Sequence, residues 1–259
     1  MILLIDIHCH ILPQADDGPD TLEKSLAMAK KAVRDGIKTI VATPHHLNGR
    51  YTNNKFNIEK DVRELQTNLD KHGIDLNVLP GQELHCSSSL SSYIYNDSGI
   101  LTLNNSRYLL LELPSGEIPL GFWEIIHEIR VMNLTPIIAH PERNKEILGK
   151  VDILSSFVEE GVLIQVTAQS LLGGFGPTIQ KAARRMCQQN TIHFIASDAH
   201  NNSTRPFLMK EACNWVLNEM GNDYVEYYLD NAERVIRNQE VVPMTPQLKK
   251  KNRLFFWMK

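Results

Sequence analysis

Seven short apolar runs, all but the third followed by a stretch of helical periodicity, constrain this chain more than any other feature. The runs lie at residues 1–5, 37–43, 75–80, 107–113, 135–139, 162–167 and 192–196. Between and after them, helices are predicted over 21–35, 58–72, 120–132, 151–160, 178–189, 205–219 and 223–237. Leu22, Leu26, Ala29 and Val33 form the apolar stripe of the first, with Asp20 as its expected N-cap and Gly36 past its end. Strands that alternate with helices pair in parallel, in a sheet that is open or closed on itself. At 259 residues the chain can build this as one domain. The Ser-rich segment 87–92 reads as a loop or as the polar start of a short helix.

Composition narrows the class. Hydrophobic residues make up 42% and charged residues 22%, and the formal net charge is -3, so no global basic field exists for gripping nucleic acid. No apolar stretch reaches the roughly 18–20 residues that span a bilayer. The N-terminal run has neither a basic flank nor a small-residue cleavage site, and reads as a core strand rather than a signal peptide. Cys9, Cys86, Cys187 and Cys213 show no CxxC spacing, which fits reduced thiols in a cytoplasmic protein.

The chemistry is concentrated where the strands end. His8 and His10 follow the first run, His45 the second and Glu83 the third; Glu112 ends the fourth, His140 follows the fifth, and Asp198 and His200 follow the seventh. Alternation along a strand sends His8 and His10 to one face, about 7 Å apart along the backbone. Alone, that pair reads equally as a metal site or as two satisfied core histidines. Eight such residues at successive C-terminal strand ends, the face on which an α/β barrel gathers its chemistry, favour the metal reading. With Asp17 the set holds imidazoles and carboxylates and no thiolate, which suits Mn²⁺, Zn²⁺ or Fe²⁺, and Mg²⁺ less well. Nine donors are too many for one tetrahedral ion and enough for two or three. Clustered ions favour hydrolysis at phosphorus or at a carbonyl. Arg143 and Arg205, close beyond His140 and His200, offer guanidinium forks that match phosphate oxygens.

These motifs resemble a known family. HCH (His8 to His10), DDG (Asp16 to Gly18), TPHH (Thr43 to His46), GQE (Gly81 to Glu83), LLELP (Leu110 to Pro114), IAHPER (Ile138 to Arg143) and ASDAH (Ala196 to His200) are similar to those of the polymerase-and-histidinol-phosphatase (PHP) family. The branch they resemble is the bacterial manganese-dependent protein-tyrosine phosphatases of capsule and exopolysaccharide clusters. The resemblance implies a distorted (β/α)₇ TIM-like barrel, the PHP fold, over residues 1–240, with 241–259 as a basic and aromatic tail. It implies up to three divalent ions, Mn²⁺ foremost, with Fe, Zn or Mg as substitutes. His8, His10, Glu83 and Asp198 would hold the first; Glu83 would bridge to the second with Glu112 and His140; Asp17, His45 and His200 would hold the third. Arg143 and Arg205 would orient a phosphate attacked by a metal-bridging hydroxide. The implied partner is a phosphotyrosine-bearing protein, a bacterial tyrosine kinase of polysaccharide export. The alternatives are a PHP phosphoesterase for a small monoester such as histidinol phosphate, and a non-catalytic, kinase-binding metal protein.

Other features receive plainer readings. His72, His127 and His193 are structural or solvated, His46 is a rim or supporting residue, and His85 stays open. No cysteine is followed by the Cys-x₅-Arg spacing of thiol-based phosphatases: Ala15, Ser92, His193 and Glu219 stand where the arginine would be. The glycine-rich 171–176 lacks a Lys-Ser/Thr ending and reads as a turn before a helix. The tail, with Lys249 to Lys251 ahead of Leu254 to Trp257, reads as a mobile end, a patch on the protein's own surface, or a contact for a membrane surface or partner.

Overall fold

In the computed structural model, residues 4–96 and 99–247 are described. In chain order the elements begin with β1 (Leu4–Cys9), α1 (Leu22–Arg34), β2 (Ile37–Ala42), β3 (His45–His46), α2 (Lys55–Lys71), β4 (Asn77–Pro80), β5 (Glu83–His85) and α3 (Leu90–Asn96). There follow β6 (Tyr108–Glu112), α4 (Phe122–Val131), β7 (Thr135–Ala139), α5 (Lys145–Gly149), α6 (Leu154–Glu159), β8 (Leu163–Thr167) and α7 (Ala168–Leu172). The last are α8 (Pro177–Gln188), β9 (Phe194–Ala196), α9 (Met209–Met220) and α10 (Asn222–Ile236).

Among the described residues every strand pair is parallel. The order is β1-β2-β4 in one sheet and β3-β5-β6-β7-β8-β9 in the other. The two sheets are one barrel broken at two strands. β2 and β3 are separated only by Thr43-Pro44, and β4 and β5 only by Gly81-Gln82. Pro44 has no N–H for a ladder, and a Cβ at Gly81 would stand 2.7 Å from Val41 Cγ1, so each strand bends where its pairing changes. Counted through these bends, the described residues form seven strands. The ring closes where Asp198 N donates to His8 O (2.8 Å) and His10 N donates to Ala199 O (2.9 Å). This is the distorted (β/α)₇ barrel that the family resemblance implied.

The strands are buried on both faces, as barrel strands covered by helices must be: β8 is buried throughout. Leu26, Met28, Ala29 and Ala32 of α1, Leu65 and Leu69 of α2, and Met186 of α8 pack outside the sheet. Ile7, Val41, Leu110, Ile137 and Phe194 fill the inside.

Element edges differ in informative ways. Thr21, not Asp20, caps α1, its side chain accepting from Lys24 N; Asp20 instead reaches Lys24 Nζ. The helix expected over 151–160 is a 3₁₀ turn followed by α6. That expected from 205 begins at Met209, because residues 201–205 form a turn around the Asn201 side chain. The Ser-rich segment leads into α3. Residues 238–247, placed mostly in the tail by sequence, run along the barrel: Val241 is buried and Gln247 N donates to Gln189 O at 2.7 Å. Residues 1–3 of the first apolar run and 248–259 of the tail lie outside the described residues.

Candidate metal centre

The residues marked by sequence meet at the C-terminal ends of the strands. β1 delivers His8 and His10 on one face, their Nε2 atoms 3.2 Å apart, while Cys9 faces the other way and its Sγ donates to Ala199 O. β3 contributes His45, β5 Glu83 and β6 Glu112. His140 follows β7; Asp198 and His200 follow β9; Asp17 stands in the loop after β1. Both His140 (φ 32°) and Asp198 (φ 51°) have left-handed backbone, an unfavourable conformation for these residues that turns their side chains inward.

All nine donors fall into overlapping groups whose ligand atoms lie within 4.8 Å of one another. One is His10, Asp17, His45 and His200; another is His8, His10 and Asp198; the others are His8, Glu83 and His140, and His45, Glu83 and Glu112. Glu83 is at the centre, with Oε1 2.8 Å from His140 Nε2 and Oε2 2.9 Å from His45 Nδ1. The grouping departs in part from the partition implied by resemblance: His10 also faces the Asp17 group, and His45 also faces Glu83 and Glu112.

Electrostatics keep the central carboxylates ionised. Burial opposes charge on Asp198, but Arg143, His8 and Arg205 outweigh it and hold the carboxyl well below its usual range. Burial likewise opposes charge on Glu83, which His8 and His45 overcome. Burial and the neighbouring His10 push His200 down to about 4, leaving a neutral imidazole, the form that binds metals.

These residues fit a group of divalent ions. His45 Nδ1, Glu83 Oε2, Asp198 Oδ1 and His200 Nε2 are buried and close to one another or to neighbouring donors, yet none makes a hydrogen bond of proper geometry, whereas buried polar atoms are normally satisfied. Mixed imidazole and carboxylate donors converging in this way suit a borderline divalent cation.

Arg143 and Arg205 flank the cluster. Both donate through Nη2 to Asp198 Oδ2, Arg205 at 2.6 Å. Their Nε atoms are buried and unbonded, so each keeps donor capacity for an anion. A small cavity of about 190 Å³ beside Arg143 is lined in part by Glu112 and His140.

Several supporting residues were not singled out by sequence. Asp16 Oδ2 bonds His10 Nδ1 at 2.6 Å and accepts from His45 N, fixing the His10 ring as carboxylates do behind metal-binding histidines. Gln165 Oε1 stands 2.9 Å from His8 Nδ1; a lone amide within the apolar 162–167 run was its signal. Asp6 takes Ser197 N and Oγ and lies on the same period-two face as His8. Phe175, in the glycine-rich turn, lies under the Arg143 guanidinium at 5.2 Å from the ring centre. Among the remaining histidines, His72 caps α2, its Nδ1 2.7 Å from Asn68 O; His127 is exposed and His193 fully buried. His46 is buried beyond His45, and His85 Nδ1 is 3.8 Å from Glu112 Oε2.

Known proteins share this architecture over nearly the whole chain. Tyrosine-protein phosphatase YwqE of Bacillus subtilis is 40% identical over 97% of this chain and 99% of its own length. CapC of Staphylococcus aureus is 39% identical over 98% and 99%. A solved structure from work on YwqE of B. subtilis and CpsB of Streptococcus pneumoniae, "unique metal-dependent tyrosine phosphatases", superimposes with a TM-score of 0.91 over 96% of this chain and 100% of that one, at 40% identity. Residues 4–237 match the family model for capsular polysaccharide synthesis, CpsB/CapC. With that match covering the barrel from β1 to the end of α10, the chain belongs to the CpsB/CapC family.

Proposed function

We propose that this protein is a metal-dependent protein-tyrosine phosphatase, a phosphoric monoester hydrolase acting on phosphotyrosine in proteins. One observation carries the reading: nine imidazole and carboxylate donors and two phosphate-matching guanidinium groups converge at one end of the barrel. Relatives of similar length named tyrosine-protein phosphatases support the substrate. His8, His10, Asp17, His45, Glu83, Glu112, His140, Asp198 and His200 would hold up to three divalent ions, Mn²⁺ being the ion we favour for this donor set. When bound, such ions lower the pKa of water and neutralise charge that develops at phosphorus.

The chain's own groups do the rest. Arg143 and Arg205 bind and orient the phosphoryl oxygens, holding the ester for in-line attack. Glu83 and Asp198 stay deprotonated, so their oxygens serve as permanent acceptors. Phenol, with a pKa of about 10, departs more readily than an alkoxide, which lessens the need for a strong proton donor. None of the four cysteines takes part, each being free and raised above the ordinary thiol range by burial, which leaves little thiolate. The partner we infer is a bacterial tyrosine kinase of polysaccharide export, met in the cytoplasm, where free thiols persist.

The test compares esters. Chelated protein reloaded with Mn²⁺ should turn over a phosphotyrosine peptide at least about tenfold more efficiently than histidinol phosphate, the leaving phenol being more acidic than an alcohol. The reverse order would favour a small-molecule phosphoesterase.

A further inference from the structure

His85 is the histidine that sequence left open, and the metal cluster leaves it unused. It stands two residues beyond Glu83 on β5. The period-two alternation that brings His8 and His10 to one face therefore also brings Glu83 and His85 to one face. Leu84 and Cys86, on either side of it, are fully buried among the residues that pack outside the sheet, which keeps the His85 side chain on the inner face. In the parallel register of β5 and β6, His85 lies opposite Glu112, and Cys86 N fixes that register by donating to Glu112 O at 2.8 Å.

Exposure shows the depth of each layer. The Glu83 side chain is 0% exposed, whereas those of His85 and Glu112 are 27% and 25% exposed. Glu83 thus forms the floor of the site, and His85 and Glu112 stand one layer higher, at the mouth where an ester enters. Among the described residues, no group of converging metal donors includes His85. Its Nδ1 is nonetheless turned inward: it is buried, makes no hydrogen bond of proper geometry, and lies 3.8 Å from Glu112 Oε2. A carboxylate on that side favours the tautomer with its hydrogen on Nδ1. Imidazoles deeper in the site offer no such N–H. His8, His10 and His200 turn Nδ1 toward Gln165 Oε1, Asp16 Oδ2 and Asp198 O, so their inward Nε2 atoms present lone pairs to a metal. Arg143 and Arg205 are placed for the phosphoryl oxygens, which leaves the departing oxygen without a donor of its own.

We propose that His85 is a further catalytic residue, whose Nδ1–H donates to the phenolic oxygen of the ester as that oxygen leaves phosphorus. The oxygen of water bonds to phosphorus, the bond from phosphorus to the phenolic oxygen breaks, and its electron pair stays on the phenolic oxygen. Nδ1 shares its hydrogen without giving it up, and solvent protonates the phenolate afterwards. A donor aimed where charge develops stabilises the transition state more than the bound ester. The assignment rests on the phosphatase reading and deepens it by naming the group that assists the leaving phenol.

The test varies the leaving group. With the full chain reloaded with Mn²⁺, His85→Ala should lower kcat/KM for a phosphotyrosine peptide about 10–100-fold, the range for a lost hydrogen bond to a charged group. The loss on para-nitrophenyl phosphate should be about threefold or less, because that more acidic phenol leaves with little help. His85→Asn, whose amide nitrogen stands where Nδ1 does, should recover most of the phosphotyrosine rate. Metal affinity, read by competition with a chromogenic chelator, should stay within about threefold of the parent in both variants, against about 10–100-fold for loss of a residue that supports a metal donor. Equal losses on the two esters, or a matching fall in metal affinity, would overturn the assignment and mark His85 as a support for Glu112. Undiminished phosphotyrosine turnover by His85→Ala would overturn it as well. Failure of the phosphatase reading is distinct: the parent protein itself would then hydrolyse neither ester.

Discussion

At the scale of single residues, the site depends on side chains that fix the orientation of others. Asp16 accepts from His45 N and bonds His10 Nδ1, leaving His10 Nε2 to face Glu83 and Asp198 at 3.3 Å each. Asp16→Asn should keep the fold and weaken metal binding about 10–100-fold, measured by competition with a chromogenic chelator; unchanged affinity would remove Asp16 from the site. Phe175 acts through Arg143 in a comparable way. Its ring lies under a guanidinium already bonded to Asp198, and such contacts are worth about 0.5–2 kcal/mol. Phe175→Ala should lower kcat/KM for phosphotyrosine about 3–20-fold, mainly through KM, with Phe175→Tyr restoring it. Equal loss in both variants would mark a merely structural ring. Sequence made the donors legible because their position follows from strand periodicity. Asp17 was expected as a donor, but nothing in sequence showed that Asp16 would hold the His10 ring, because adjacent acids in a loop have no period that fixes their directions. Nor did the glycine-rich turn show that Phe175 would reach Arg143, a contact made only by folding.

At the scale of elements, the edges of strands carry the account. The breaks after β2 and β4 were invisible because a bent strand reads in sequence as a strand that ends; Pro44 and Gly81 are the only local signs. The neighbouring β8 and β9 are joined through His193: Ile164 N donates to His193 Nδ1 at 3.0 Å, and His193 N donates back to Ile164 O. Burial of this neutral ring lowers its pKa from 6.5 to about 3. The unfolded chain therefore binds a proton below pH 6.5 that the native chain refuses, and stability from this group is lost as pH falls from 6.5 toward 3. Between pH 7 and pH 5 the loss is about 2 kcal/mol. The stability difference between the protein and His193→Gln, measured by denaturant unfolding, should shift by that amount in favour of the variant on going to pH 5. Parallel pH dependences would show that the ring is not held neutral.

At the scale of the whole molecule, a closed parallel barrel explains why donors spread over nearly two hundred residues of sequence, from His8 to His200, share one site. Each strand delivers its last residues to the same end, and closure of β9 on β1 places Asp198 against His8, 3.4 Å from Asp198 Oδ1 to His8 Nε2. The alternation of strands and helices already implied a parallel sheet, the family resemblance implied its closure into a barrel, and family membership agrees with both. The central claim is that this assembled cluster, loaded with metal, hydrolyses phosphotyrosine. The most direct measurement is phosphotyrosine-peptide turnover by chelated protein before and after Mn²⁺ is added, alongside His8→Ala treated identically. Chelated protein should be inactive, Mn²⁺ should restore turnover, and His8→Ala should remain at least about a hundredfold slower with its thermal unfolding near that of the parent chelated protein. Near-normal turnover by His8→Ala, or by the chelated chain, would contradict the account.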